Sequence, residues 1–207
     1  MNILFIASLT ILIFIYIYRE AWDPPYIVES VLTPDECKTI IEKATPLFQR
    51  SIVLSADKPV DDIRTSYTAW IPKSDPLAQK ILLKACQLTG KTLDHCEDLQ
   101  VVKYGPGNEY KPHHDACIET DSFCNKSFGA RGQRIGTLLV YLNDEFTEGE
   151  TDFPTYGKKY KPQVGSALFF RPLGKFNGKP HPNALHAGLP VKEGTKYVCN
   201  AWIHRFL

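Results

Sequence analysis

The spacing of apolar positions changes character twice along the chain. Residues Ile3 to Tyr18 read ILFIASLTILIFIYIY, uncharged and apolar on every face, and Arg19 and Glu20 close the run. Sixteen residues at ~1.5 Å rise reach roughly 24 Å, near the ~30 Å hydrocarbon core once Tyr16 and Tyr18 sit at the interface. The run predicts a transmembrane anchor or signal segment over residues 1–20, with residues 3–18 in the membrane. An uncleaved anchor is the better fit, since no basic n-region and no small-x-small site precede Arg19. One Arg beside one Glu leaves its orientation open.

A helical period takes over at Thr33, where TPDECKTIIEKATPLF offers Thr33 as N-cap, Pro34 at the first helical position and Glu36 at the capping-box place. Cys37, Ile40, Ile41 and Ala44 then share one face. Residues 50 to 71 read as strand, mobile loop and strand around the polar turn SADKPVDD. A second helix is predicted from Ser74 or Asp75, with Pro76 behind it, an apolar face of Leu77, Ile81, Leu82, Ala85 and Leu88, and a stop at Gly90. Beyond residue 97 the period drops to that of strands: LQVVKY, RIGTLLVYLN, GSALFFRP and KYVCNAWIHRF are separated by Gly, Pro, Asn and Asp. The expected layout is a helical N-terminal support on a β-sandwich or barrel, in one domain over residues 21–207.

Charge narrows the partners. With 24 Lys and Arg against 23 Asp and Glu, net +1, there is no broad cationic face and no electrostatic case for nucleic acid. The six cysteines are an even count without CxxC spacing, compatible with disulfides in a secretory lumen. Cys117 and Cys124 bracket a short loop and are the first candidates for a bridge, with free buried thiols as the equal alternative. With the N-terminal segment, this places the chain as membrane-anchored in the endoplasmic reticulum or secretory lumen.

The chemistry is concentrated in YGPGNEYKPHHDAC. In an extended segment alternate side chains share a face, so His113 and Asp115 point together and His114 points away. A His and a carboxylate on one face are two arms of the 2-His-1-carboxylate arrangement that holds non-haem Fe(II) with open positions. The third must come from a distant strand. His186, in NALHAGLPVKEGTKY, is the best candidate, and His181 and His204 compete with it. Ten residues beyond His186, Lys196 opens an apolar strand, where its charge is costly unless it meets a carboxylate or snorkels at the strand end.

Taken together, RTS at Arg64 to Ser66, YGPGNEYKPHHD, GQRIGTLLVYLN, EGETDFP and LHAGLPVKEGTKYVCNAWI resemble the prolyl 4-hydroxylase family, nearest in length to its small single-domain algal and viral members. The blocks run from about residue 26 to the end in the family's order. The resemblance implies a mainly β fold with flanking α, a double-stranded β-helix (jelly-roll) core supported by N-terminal helices. It implies His113, Asp115 and His186 as iron ligands and catalytic centre, and Lys196, Tyr104 and Thr151 as residues binding the distal carboxylate of 2-oxoglutarate. Arg64, Ser66, Tyr110, Arg134 and Trp202 match positions around the peptide substrate. Where many relatives have Gly-Gly-Glu-Thr, this chain has Glu148-Gly149-Glu150-Thr151, a departure expected to alter a turn. The segment 116–132 at the site's mouth need not match relatives either.

The implied activity is hydroxylation of peptidyl proline at C4 in a Pro-rich or collagen-like peptide, with Fe(II), 2-oxoglutarate, O2 and ascorbate, yielding succinate and CO2. Other readings keep the iron and change the target to lysyl residues, a nucleobase or a small molecule, or leave a non-catalytic β-helix binding domain. The neutral charge disfavours a nucleobase. Related lysyl and nucleobase enzymes usually have Arg where Lys196 stands, and a non-enzyme would lack a ligand or the cosubstrate anchor.

Overall fold

The computed structural model describes residues 21–52, 62–118 and 121–207, and both long helices start where their capping residues stand. Helix α1, Pro34–Ala44, is capped by the Thr33 side chain on the Glu36 backbone, while the Glu36 side chain returns to the Thr33 N–H. Helix α2, Pro76–Thr89, is capped by Asp75, whose carboxylate accepts from the N–H groups of Leu77 and Ala78. It ends at Gly90, φ 68°, a left-handed position that favours glycine.

Among the described residues thirteen strands follow along the chain. They are β1 (Tyr26–Val28), β2 (Gln49–Arg50), β3 (Tyr67–Ile71), β4 (Leu99–Tyr104), β5 (Tyr110–His113), β6 (Arg134–Tyr141) and β7 (Phe146–Glu148). The remainder are β8 (Thr151–Phe153), β9 (Lys158–Tyr160), β10 (Ala167–Phe170), β11 (His186–Gly188), β12 (Val191–Gly194) and β13 (Lys196–His204). Seven form one sheet in the order β1-β10-β6-β13-β4-β3-β2, and four form a second, β5-β11-β8-β9. This is the double-stranded β-helix expected from the resemblance, with helices on the outer face of the larger sheet.

The period of two along the central strands separates the layers. On β13, Cys199, Ala201 and Ile203 join the core beneath α1 and α2, whereas Lys196, Val198, Asn200 and Trp202 line a cavity on the opposite face. The inner core is aromatic, with Tyr104, Tyr141, Phe153 and Phe170 packed around Val102, Leu168 and Val198.

Two expectations change. The membrane-anchored, single-pass assignment is corrected: among the described residues no helix is long and apolar enough to cross a membrane. The longest, α2 with 14 residues, reaches only ~21 Å of the ~30 Å required. The run 3–18 that prompted the assignment lies outside the described residues, and the endoplasmic reticulum or secretory-lumen placement goes with it. The all-β pattern beyond residue 97 is also interrupted by α3, Ser122–Phe128, capped by the Asp121 side chain and tied through its Cys124 to Cys117 by a disulfide. A helix of seven residues held by one cap and one crosslink has too few periodic positions to announce itself. The polar loop expected between β2 and β3 falls largely on residues 53–61, outside the described residues.

Candidate active site

Strand β5 ends on His113, and β11, antiparallel to it, sets His186 directly opposite. Asp115 lies just past the end of β5. His113 Nε2 is 4.0 Å from Asp115 Oδ1, and His186 Nε2 is 3.9 Å from Asp115 Oδ2. All three ligand atoms lie within 4.8 Å of one another. Both His–carboxylate separations are below roughly 4.2 Å, twice the ~2.1 Å of a metal–nitrogen bond, so one ion can bridge them. The rings are turned for that purpose. His113 Nδ1 is 2.8 Å from the Lys111 carbonyl and His186 Nδ1 is 3.0 Å from that of Ala184. Each Nδ1 therefore carries the proton and donates it, leaving the Nε2 lone pair free for a metal. Burial, reinforced by the neighbouring His186, pushes the His113 pKa well down, toward the neutral imidazole that ligation needs.

Asp115 is fixed by the neighbouring sheet. Thr137 on β6 donates to its Oδ2 at 2.6 Å and the Trp202 indole donates to the same oxygen at 3.1 Å. Burial alone would raise this carboxyl, but His186, Arg134, His113 and the Thr137 hydroxyl hold it down at about 2. The centre thus combines two imidazole nitrogens with one ionised carboxylate, the donor set suited to Fe(II) with open positions.

Lys196 lines the same cavity from the start of β13. It is 2% exposed. Its ammonium donates to the Gly149 carbonyl at 2.7 Å and lies 5.2 and 5.1 Å from the ring centres of Tyr104 and Tyr141. Burial pulls its pKa down to about 7, against the pull of Glu150. The Thr151 hydroxyl sits 2.7 Å from the Tyr141 hydroxyl. A metal centre and a buried cation in one cavity suit a dicarboxylate that chelates at one end and pairs its far carboxylate at the other.

Of the remaining expected residues, Arg64, Tyr110 and Trp202 line the cavity, while Ser66 and Arg134 do not but contact Arg64 and Trp202, which do. Tyr110 stacks on His113 with ring centres 3.5 Å apart, and the Arg64 guanidinium lies 4.8 Å from the Tyr110 ring. Arg64 also donates to Ser66 Oγ and Gln100 Oε1, each at 3.1 Å. Arg64 and Gln100 border a second, outer groove with Arg50 and Trp70. Arg134 is held in a forked pair with Glu97 at 2.7 and 3.0 Å and lies 3.6 Å over the Trp202 ring. Burial would raise Glu97, but His204 and Arg134 bring it to about 2.

The competing imidazoles are elsewhere. His181 stacks on Trp22 and accepts from the Asn183 N–H, and His204 sits between the Gly132 carbonyl and Glu97. Sequence reasoning missed Thr137, Tyr141, Glu97, Gln100 and Asn200. For four of them a signal existed. Thr137 and Tyr141 share one face of β6 by a period of two, Gln100 shares one with Tyr104 on β4, and Asn200 lies between Lys196 and Trp202 on β13. Glu97 precedes β4 and carried no such signal.

A double-stranded β-helix presenting a facial His-Asp-His set beside a buried cation defines a non-haem iron oxygenase. Residues 99–204 match the family model described as 2OG-Fe(II) oxygenase superfamily. A protein of Acanthamoeba polyphaga mimivirus named "Putative prolyl 4-hydroxylase" is 38% identical over 184 residues, 88% of this chain and 75% of that protein. The human prolyl 4-hydroxylase subunit alpha-1 is 31% identical over 192 residues, 90% of this chain but 36% of that subunit's length. Among solved structures, the viral collagen prolyl hydroxylase of Paramecium bursaria Chlorella virus-1, in a 2OG complex, aligns with a TM-score of 0.68 at 32% identity, covering 88% of this chain and 96% of that one. The chain belongs to the prolyl 4-hydroxylases of the 2OG-Fe(II) oxygenase superfamily, of the small viral type, and is an Fe(II)- and 2-oxoglutarate-dependent dioxygenase.

Proposed function

We propose that residues 21–207 act as one catalytic domain that hydroxylates peptidyl proline at C4 in a Pro-rich or collagen-like peptide, converting 2-oxoglutarate to succinate and CO2. The observation that carries the reading is the two-ended cavity, with the His113, Asp115 and His186 set and buried Lys196 lining one space. The mimivirus and Chlorella virus relatives named above support the choice of proline as target.

In this reading His113, Asp115 and His186 hold Fe(II), while Lys196, Tyr104 and Thr151 hold the distal carboxylate. Bound there, iron with 2-oxoglutarate supplies activation of O2 and insertion of one oxygen atom into an unactivated C–H bond. The chain's own residues bind and orient. Thr137 and Trp202 hold the Asp115 carboxylate in place, and the Lys111 and Ala184 carbonyls, by accepting from Nδ1, orient both imidazoles with Nε2 toward the cavity. Arg64, Ser66, Tyr110, Arg134 and Trp202 form the peptide side, where Tyr110 offers an aromatic face to a proline ring. An extended polyproline-II segment suits such a groove because its ordering entropy is already low.

The test is mass spectrometry of a peptide panel containing poly(Pro) and Pro-Pro-Gly repeats, incubated with the full chain, Fe(II), 2-oxoglutarate and ascorbate. A gain of about 16 Da, one oxygen atom, mapped to proline C4 is expected. Succinate formation with no peptide shift across the panel would remove the proline assignment and leave the oxygenase.

A further inference from the structure

Away from the metal centre, two thiols face each other. Cys86 lies in the last turn of α2 and Cys96 ten residues later, three before β4, with sulfurs 3.4 Å apart and both side chains buried. Their backbones are fixed independently of any bond between them. The Cys86 carbonyl accepts from the N–H groups of Gly90 and Lys91 and from the Thr89 hydroxyl. The Cys96 N–H donates to the Leu93 carbonyl, and Cys96 bridges to Ile203 on β13. A disulfide is ~2.05 Å long, so the sulfurs need to close only ~1.4 Å, which small side-chain rotations supply. The same chain carries a disulfide at Cys117–Cys124, so an environment that forms one bond offers an oxidant for the other.

We propose that Cys86 and Cys96 are a second disulfide pair, closed as the chain folds, tying the C-terminal end of α2 to the approach to β4. The step is thiol–disulfide exchange with a small disulfide such as oxidised glutathione. Two S–H bonds are lost and one S–S bond forms, while the two electrons and two protons pass to the oxidant, whose own S–S bond becomes two thiols. The thiolate is the attacking form, and burial pushes both thiols upward in pKa. Exchange is therefore slow in the folded protein, and the bond forms before the pair is enclosed. Its placement links it to the site. Cys96 adjoins Glu97, whose carboxylate holds Arg134 and His204, and β4 carries Gln100 and Tyr104.

The full chain, unfolded under reduction, is refolded over a series of glutathione redox ratios, blocked with N-ethylmaleimide and peptide-mapped without reduction. At the ratio where the Cys117–Cys124 fragment is recovered linked, a second fragment joining Cys86 to Cys96 is expected, lost on dithiothreitol treatment, with Cys37 and Cys199 recovered as maleimide adducts. Recovery of Cys86 and Cys96 as adducts in that sample overturns the proposal. A Cys117→Ser/Cys124→Ser double variant gives an independent reading. Unfolded and refolded in dithiothreitol, it is expected to melt roughly 5–10 °C below the same variant refolded oxidised, a difference that adding Cys86→Ser abolishes. Equal Tm values for the two refolded samples of the double variant also overturn the proposal.

Discussion

Lys196→Met should weaken 2-oxoglutarate binding and raise the stability of the ligand-free protein at the same time. Lys196 is 2% exposed, so its pairing with a carboxylate is not screened by water. Removing one partner of such a buried, charge-assisted pair costs roughly 2–4 kcal/mol, equivalent to a ~30- to 1000-fold rise in KM for 2-oxoglutarate. The opposite sign appears in folding. Burial pulls Lys196 from its ordinary 10.5 to about 7, so keeping it charged at neutral pH costs the folded state on the order of 4 kcal/mol. Methionine removes that cost but leaves the Gly149 carbonyl without the ammonium that now reaches it at 2.7 Å, a loss of about 1–3 kcal/mol. The balance is a gain of roughly 1–3 kcal/mol, or about 2–10 °C in Tm for a chain of this size.

The pH dependence follows from the same depression. Between about 7 and 10.5 the unfolded chain binds more protons at this site than the folded one, so wild-type stability rises with pH through that window. The advantage of Lys196→Met is largest at and below neutrality and shrinks as pH approaches 10.5. Calorimetry at several pH values, with succinate-release kinetics over a 2-oxoglutarate series, reads both effects. An unchanged KM would refute the anchor role, and a lower Tm at neutral pH would refute the burial cost.

Asp115→Ala or His186→Ala should abolish turnover and iron retention with little loss of fold, checked by metal analysis beside circular dichroism; a His186→Ala protein that keeps wild-type activity would remove it from the ligand set. Thr137→Val keeps the side chain's shape but leaves Asp115 Oδ2 with the Trp202 indole alone. A ~10- to 100-fold loss of iron affinity is expected in a competition titration with a chelator, and unchanged affinity would show that Trp202 suffices. Arg134→Ala should raise peptide KM while leaving peptide-independent decay of 2-oxoglutarate, and Glu97→Gln, which weakens its hold on Arg134, should move the same parameter in the same direction. Equal losses in coupled and uncoupled turnover would argue against both. Glu148 sits at φ 58°, left-handed backbone that costs a non-glycine residue ~1–2 kcal/mol; Glu148→Gly should therefore stabilise the chain by up to about 1 kcal/mol after the entropy glycine adds to the unfolded state, read by urea denaturation.

Local sequence determined what depends on neighbours along the chain. Thr33, Glu36, Asp75 and Gly90 bound their helices because capping is settled within three or four residues. The period of two placed His113 and Asp115 on one face. The turn at Glu148 was marked by its departure from the glycine that the resemblance implied, and its backbone is left-handed, a conformation that favours glycine. Apart from α3, the segments beyond residue 97 were legible as strands but not as a pairing order, since β13 lies between β6 and β4 only through contacts distant in sequence.

The site depended on that pairing. His181, His186 and His204 are the same chemical group, and the sequence ranked His186 first only by its place near the end of the β-rich region, after a short apolar pair and before a turn. Only the register of β11 on β5 sets His186 opposite His113, while the folds around His181 and His204 occupy them with Trp22 and Glu97. Thr137, Tyr141 and Gln100 looked like ordinary strand residues until the two sheets faced each other across the cavity. Cys86 and Cys96 likewise became a pair only when the turn after α2 folded back. Caps, turns and alternation are short-range and can be read from sequence, whereas ligand sets, anchors and sulfur pairs form between strands whose partners are fixed by the whole core.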